Sequence, residues 1–276
     1  MIPQEVMHHI KCRKGDVGRY VLLPGDPGRC ELIAEHFDDA HFVVQNREYV
    51  TYTGTLMGEK VSVTSTGIGC PSTAIAVEEL VAIGADTFVR VGTSGGMQPG
   101  IRPGDLAIVS AAIRDEGTSS HYMPLAFPAV ADVDVVCAMR EAARRLGMGY
   151  HVGVTQSKDS FYGEVEPYRM PIATRLKERW HAWVAGGAVC SEMEAATIFV
   201  VSSYLRVRAG GIMLLAGTAP DWLILERMDE KERQATLAKL QAEATGLGPE
   251  SMQNLIATSV EGLRILIAKD RDSAAQ

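Results

Sequence analysis

Three arginines stand in three different backbone settings of this chain, and each setting suits an oxyanion. Arg90 is a full charge inside the apolar run Thr87-Phe-Val-Arg-Val91, which continues as Gly92-Thr-Ser-Gly-Gly96. A charge placed within a buried strand needs a partner. Thr93 and Ser94 add hydroxyls at the strand's carboxyl end, and the glycines let backbone N–H groups come close to a ligand. Arg29 closes Pro24-Gly-Asp-Pro-Gly-Arg29, a tight loop after the apolar run Tyr20–Leu23. It sits where a helix begins, and Gly25 and Gly28 leave room beside the N–H groups of that helix start. Arg47 lies in a break between two strand-like runs. Plainer readings compete at each place: an internal carboxylate partner for Arg90, an ordinary Pro-Gly turn at 24–28, a solvated Arg47–Glu48 pair worth under about 1 kcal/mol.

Two acids make a second group. Ser191-Glu-Met-Glu-Ala-Ala-Thr197 places Glu192 and Glu194 at the start of a buried-looking helix over 198–205, where the helix dipole favours negative charge. Capping accounts for one of them. It accounts less well for Met193 and a second acid between a loop and so apolar a segment. His8 and His9 are adjacent, but no other metal-ligand cluster is near in sequence, so a surface or interface role is expected. The five cysteines form no C-x-x-C pair, which points to free thiols in a reducing compartment.

The chain has 276 residues, 46% hydrophobic, with a formal net charge of -7. That length supports a sizeable core. No basic stripe is present, so nucleic acid is not an expected partner. No run of about 18 apolar residues exists to span a membrane. The start, MIPQEVMHHIKCRKGD, lacks an apolar leader region, and a cytoplasmic location is expected.

The elements that must position these residues follow from periodicity. Strands are expected at 20–23, 43–47, 49–56, 60–66, 87–91, 104–112, 150–155 and 209–215, and helices at 30–37, 71–84, 135–146, 172–184, 198–205 and 251–268. Segment 114–130 reads as an irregular loop, and 221–244 as charged and helix-prone. The order strand, glycine loop Thr66-Gly-Ile-Gly-Cys-Pro-Ser72, helix, strand is a βαβ unit, so the sheet is largely parallel. No repeat or linker interrupts the chain, and residues 1–276 are expected to form a single domain.

Taken together, the segments Pro24-Gly-Asp-Pro-Gly-Arg29, Asn46-Arg-Glu-Tyr49, Ser65-Thr-Gly-Ile-Gly-Cys-Pro-Ser72, Arg90-Val-Gly-Thr-Ser-Gly95, Asp159-Ser-Phe-Tyr-Gly163 and Ser191-Glu-Met-Glu-Ala195 resemble, in type and order, the nucleoside phosphorylase family. The resemblance runs from about residue 9 to 215. The set is specific, although each motif alone is weak. It implies an α/β fold, a three-layer α/β/α sandwich around a mixed, partly barrel-like sheet. It also implies a homo-oligomer, a hexamer built from dimers that share sites. Phosphate would be held by Gly25, Arg29, Arg90 and Thr93, with Arg47 from the neighbouring copy. Ribose would lie on Thr93, Glu192, Met193 and Glu194, with the neighbour's His9. Phe161 would stack on the base, and Glu164 and Arg169 would read its edge. No cofactor is required, and a monovalent cation such as K+ would sit at Glu48, Ile68 and Ser72 at the dimer contact.

The chemistry the family implies matches the residues. A phosphate dianion placed against the anomeric carbon turns a two-body collision into a positioned attack. The sugar becomes oxocarbenium-like, as in glycoside cleavage, which suits a carboxylate at its hydroxyls, Glu194. Charge gathers on the departing base, where Arg169 would stabilise it. Arg90, Glu194 and Arg169 are thus the expected catalytic residues. The pattern is most similar to the uridine-cleaving branch, which converts uridine and phosphate to uracil and ribose 1-phosphate. The alternatives are a nucleosidase of the same fold, a purine nucleoside phosphorylase and a non-catalytic nucleoside-binding protein. A dinucleotide module is disfavoured because Gly92–Gly96 lacks G-x-G-x-x-G spacing.

Two departures stand out. Purine-cleaving relatives carry an aspartate where this chain has Gly217, which favours a pyrimidine, though Asp221 is close by. Relatives commonly have glutamine where this chain has Glu164. An amide accepts from N3–H of uracil and donates to O2, whereas a carboxylate only accepts. Glu164 is therefore expected to turn away and pair with Arg169, to stay protonated, to read an exocyclic amine, or to be a solvated surface acid. If it faces uracil alone, Glu164→Gln should improve the use of uridine.

Overall fold

The computed structural model describes residues 6–244 and 247–274; the first five residues of the start read above lie outside them. The apolar runs become ten strands: β1 Tyr20–Pro24, β2 Asp38–Asn46, β3 Tyr49–Leu56, β4 Glu59–Thr64, β5 Thr87–Gly96, β6 Leu106–Asp115, β7 Ala129–Val130, β8 Tyr150–Lys158, β9 Cys190–Glu192 and β10 Arg208–Thr218. The helices are α1 Gly28–Ala34, α2 Cys70–Ala82, α3 Val133–Arg145, α4 Phe161–Val165, α5 Ala173–Ala185, α6 Ala195–Leu205, α7 Trp222–Leu225, α8 Glu230–Ala244 and α9 Pro249–Ala274. The expected loop at 114–130 holds a short 3-10 turn, Thr118–His121, and β7.

The sheet is mixed and half closed. β5 pairs in parallel with β1 on one side and β10 on the other, and its last residues Gly95 and Gly96 pair antiparallel with β9. β10 pairs with β6, β6 with β8, and β8 with β9. The path β5-β10-β6-β8-β9 therefore returns to β5 as a ring, while β1-β4-β3-β2 extends from it as an open wing. Alternation of side chains across the strands divides the core into two layers. Val21, Leu23, Phe88, Ala209 and Met213 face α2 and α6. Tyr20, Leu22, Val89, Val91, Ile212 and Leu214 face α1, α3 and α9. This is the three-layer architecture with a partly barrel-like sheet.

Local chemistry sets the helix starts that matter. Gly69, with φ at 95°, turns the chain into α2, and Pro71 occupies its first turn. The Asp132 side chain accepts from the backbone N–H groups of Asp134 and Val135 and caps α3. Gly186 and Gly187 end α5 as the sequence implies. The segment 221–244 is not one helix: Asp221 caps the short α7, and α8 starts afresh at Glu230. β9 was not foreseen, because three residues carry no period of their own.

Candidate active site

The carboxyl ends of β1, β5 and β9 meet the glycine turn before α2, and the charged residues converge there. Arg90 is 5% exposed. Its Nε donates to Glu192 Oε2 at 2.7 Å, and its Nη2 forms an ion pair with Glu194 Oε2. Burial opposes the guanidinium's charge, but Glu194 and Glu192 more than offset it and hold Arg90 above its ordinary value. Gly92 makes this possible: a Cβ there would stand 2.7 Å from Met213 Sδ and 3.0 Å from Arg90 Nη2. The guanidinium fills the space that a side chain would need.

The third nitrogen of Arg90 is left over. Nη1 is buried and has no hydrogen-bond partner among the described residues. It faces Gly25, where a Cβ would lie 3.9 Å from Nη1 and 3.2 Å from the Gly67 carbonyl oxygen. Arg29, on α1, donates from Nη2 to Thr93 Oγ1 at 3.4 Å. Burial lowers its pKa, and the charge of Arg90 pushes the same way against the pull of Asp26. A buried and a half-buried cation whose proximity is unfavourable, an unpartnered donor and a bare backbone surround one point. Gly25, Arg29, Arg90 and Thr93 are thus brought together, as the motif reading expects.

The two acids have different surroundings. Glu192 accepts from Arg90, from the backbone N–H groups of Glu194 and Ala195 at 2.8 and 2.9 Å, and from Ser157 Oγ. Both its oxygens are engaged by protein, and it caps α6 while anchoring Arg90. Glu194 Oε1 accepts from Gly69 N at 2.6 Å, and its Oε2 faces Arg90. Burial raises the Glu194 carboxyl above the usual range, with Arg90 pulling against that. Met193 is half-buried between them, and its carbonyl accepts from Cys70 Sγ at 3.1 Å.

His9 and Arg47 lie on one piece of surface. His9 Nδ1 is 2.7 Å from Glu79 Oε1, the same carboxylate takes the N–H groups of His9 and Ile10, and Asn46 Nδ2 donates to the His9 carbonyl at 2.7 Å. With Nδ1 held by a carboxylate, Nε2 is the ring nitrogen left to meet a ligand. Arg47 is exposed at the β2–β3 turn, with φ at 54°, and makes no ion pair among the described residues. Neither residue is within the cluster around Arg90. Glu48 lies against Gly67, Ser72 Oγ donates to Thr66 O at 2.7 Å, and Ile68 is exposed beside them. This brings a carboxylate, a hydroxyl and carbonyl oxygens together, the donor set hard cations take. Among the described residues no group of three or more His, Cys, Asp or Glu is arranged for a metal ion.

The region expected to read the base differs most from the sequence reading. Glu164 is neither a surface acid nor the partner of Arg169. It is buried, with Oε2 2.6 Å from Lys158 Nζ and 2.5 Å from Ser191 Oγ. Arg169 pairs instead with Glu166 at 2.8 Å and lies over the Tyr162 ring, exposed. Phe161 is also exposed, edge-on to Tyr162. Lys158, Glu164, Gln156, Asp115 and Arg179 line a cavity of about 150 Å³ with Trp180, Trp183 and Trp222. Burial raises the Asp115 carboxyl, against bonds from Gln156 and Arg179. Sequence reasoning passed over Lys158. Its only signal was the polar end, Gln156-Ser-Lys158, of a strand that stays buried throughout that end. Asp221 is committed elsewhere: Oδ1 caps α7 and Oδ2 lies 2.8 Å from His181 Nδ1.

The description Phosphorylase superfamily matches residues 19–247. The chain is 47% identical over 263 residues to "Uridine phosphorylase" of Treponema pallidum (strain Nichols), covering 95% of each chain. It is 50% identical over 210 residues to "Uridine phosphorylase" of Thermococcus kodakarensis, covering 74% of this chain and 75% of that one. It is also 39% identical over 209 residues to "Guanosine phosphorylase" of Halorubrum lacusprofundi, covering 76% and 82%.

Proposed function

This chain belongs to the Phosphorylase superfamily, and we propose that within it the protein cleaves uridine with phosphate, giving uracil and ribose 1-phosphate. The observation that carries this is Arg90 Nη1, a buried charged donor without a partner among the described residues, lying by the bare backbone of Gly25. An enzyme that used water would have no need for it, since an unpaired buried donor costs about 1–3 kcal/mol. Phosphate supplies the missing acceptor. One phosphate oxygen attacks the anomeric carbon, the bond to N1 breaks, and its electron pair leaves with the base. The proton of the hydrogen phosphate ends on the uracil. Glu194 faces the sugar hydroxyls and balances the positive charge that develops on the ring. Glu192 positions Arg90. The relatives named for uridine and the engagement of Asp221 by His181 and α7 support a pyrimidine over a purine.

The proposal includes a cytoplasmic homo-oligomer, a hexamer built from three dimers. His9 and Arg47 stand away from the Arg90 cluster but are tied together through Asn46. That suits a unit delivered to the site of an adjacent copy, with a monovalent cation at Glu48, Ile68 and Ser72 along the seam. No reaction step runs through the cation. Incubation of uridine, cytidine, thymidine, inosine and guanosine with and without phosphate, read for free base, tests the reading. Uracil release that requires phosphate is expected. Equal release without phosphate indicates a hydrolase, and saturable binding with no release indicates a non-catalytic binder.

A further inference from the structure

Glu164 stands where an amide would read uracil directly, and its surroundings supply what a carboxylate lacks. Lys158 closes β8, and Glu164 lies on α4. Their side chains are 7% and 9% exposed, and Nζ is 2.6 Å from Oε2. Ser191, on β9, bridges them: its Oγ accepts from Lys158 Nζ at 2.7 Å and lies 2.5 Å from Glu164 Oε2 and 2.7 Å from Gln156 Oε1. The other carboxylate oxygen, Oε1, lies 4.0 Å from where a Cβ on Gly95 would be, over the end of β5 that also carries Thr93 and Ser94. So Oε2 is held by Lys158 and Ser191, and Oε1 lies beside Gly95 at the end of β5. An ammonium has three protons. Ser191 and Glu164 take two, and the third has no acceptor among the described residues.

We propose that Lys158 and Glu164 together form the base-reading element of this enzyme, a buried ion pair presenting one acceptor and one donor side by side to a 2,4-dioxopyrimidine. Oε1 accepts from the imide N3–H, and Nζ donates to the adjoining carbonyl. This inference rests on the phosphorolysis reading. The pair reproduces the donor-acceptor pattern of a carboxamide, with a difference that matters in the transition state. When the bond to N1 breaks, negative charge spreads to the base carbonyls. A charged donor at that carbonyl stabilises it more than an amide N–H does. Cytosine has no proton at N3, so its ring nitrogen would meet the lone pairs of Oε1. The same pair therefore selects against it. The expectation from sequence that Glu164→Gln improves turnover of uridine is reversed, because glutamine would remove the counter-charge that holds Lys158.

Three nucleosides test this under saturating phosphate: uridine, 3-methyluridine, which lacks the N3 proton, and 5-fluorouridine, whose base is the better leaving group. The wild type should prefer uridine to 3-methyluridine by about 100-fold or more, and Glu164→Leu should shrink that preference towards unity. Lys158→Met should lower kcat for uridine by about two decades and for 5-fluorouridine by clearly less, because an acidic leaving group needs less help. The double variant Lys158→Gln/Glu164→Gln keeps hydrogen bonds without buried charge, and serves if a single variant fails to fold; it should show the same inequality between the two leaving groups. Equal losses for uridine and 5-fluorouridine, or undiminished rejection of 3-methyluridine by Glu164→Leu, overturn the proposal and leave the pair as a clasp between α4 and β8. A wild type active on uridine in that case preserves the phosphorolysis reading. A wild type that releases no base with phosphate overturns both.

Discussion

Gly25→Ala separates the phosphate cradle from the fold around it. Gly25 is not in the left-handed region, so alanine can take its backbone conformation. The added Cβ would meet the Gly67 carbonyl oxygen at 3.2 Å, a crowded contact that a few tenths of an ångström relieves, and would stand 3.9 Å from Arg90 Nη1. The unliganded protein should therefore lose little stability, under about 1 kcal/mol. The methyl group instead occupies the space in front of the one free donor of Arg90. A phosphate displaced from that donor loses a charge-assisted hydrogen bond worth about 1.5–3 kcal/mol, roughly one to two decades in affinity. Steady-state kinetics at fixed uridine should show the KM for phosphate rising by that factor. Thermal unfolding gives a second readout that does not depend on turnover. Phosphate at 100 times its dissociation constant stabilises the wild type by about 2.7 kcal/mol. If affinity falls 30-fold, the same concentration stabilises the variant by only about 0.9 kcal/mol. A phosphate KM and a phosphate-induced shift both within twofold of wild type would place the anion somewhere else and refute the reasoning. A large loss of Tm before phosphate is added would show that the glycine serves the loop.

Glu194→Gln keeps the bond from Gly69 N but loses the charge opposite Arg90, so kcat should fall about 10- to 100-fold, more than KM rises, in assays normalised to folded enzyme. Asp270 joins the end of α9 to the start of β10 through Arg208 at 2.6 Å and to Tyr20 OH at 2.5 Å. Burial works against its charge, but Arg208 and Tyr20 outweigh this and lower its pKa, while burial and Asp270 push Tyr20 up to about 12. A depressed carboxyl stabilises above its unfolded pKa and loses that contribution as pH falls through the folded value. Asp270→Asn should thus cost about 2 kcal/mol near neutral pH and little in acid below the ordinary carboxylate range, as read from denaturant unfolding at both. Burial pushes the thiols of Cys12 and Cys190 up to about 11 and Cys30 to about 12, whereas Cys137 is exposed; a thiol reagent at neutral pH should label Cys137 rapidly and the others only after unfolding.

The cradle was legible because each of its parts is unusual in its own stretch of sequence. Arg90 inside a buried strand and Arg29 at a Pro-Gly loop are exceptions to ordinary patterning, and exceptions mark sites. The long strands and helices were legible from their periods. The ring of strands was not, because closure depends on β9, three residues long, and on β5 pairing with three neighbours. Nor was the pairing proposed to read the base. Glu164 looked misplaced because its partner, Lys158, comes from another element and stands out in no window of sequence. The distinct roles of Glu192 and Glu194 were hidden for a similar reason. Two acids one residue apart look alike until one is saturated by Arg90, Ser157 and the start of α6.

The charges of the site bear on the proposed sharing of sites between copies. Arg29 and Arg90 are the cations around Gly25, and Glu192 and Glu194 are the anions that hold Arg90 in place. The cluster is therefore close to neutral before a ligand arrives. That balance makes a buried arginine tolerable, since an uncompensated one would be strongly destabilising. It also means that a phosphate dianion enters a site with little net positive charge, in surroundings where charges are poorly screened. The cradle supplies direction through Nη1 and the bare backbone, but not the full attraction. Arg47 is exposed and unpaired among the described residues, at a turn fastened by Asn46 to the backbone of His9. A cation on that turn, with a histidine beside it whose Nε2 has no hydrogen bond among the described residues, has the charge that the cradle lacks. Delivered by an adjacent copy, it would add the third positive charge only when the site is assembled. The isolated fold would then keep its neutral, stable cluster, and binding of the dianion would be coupled to association.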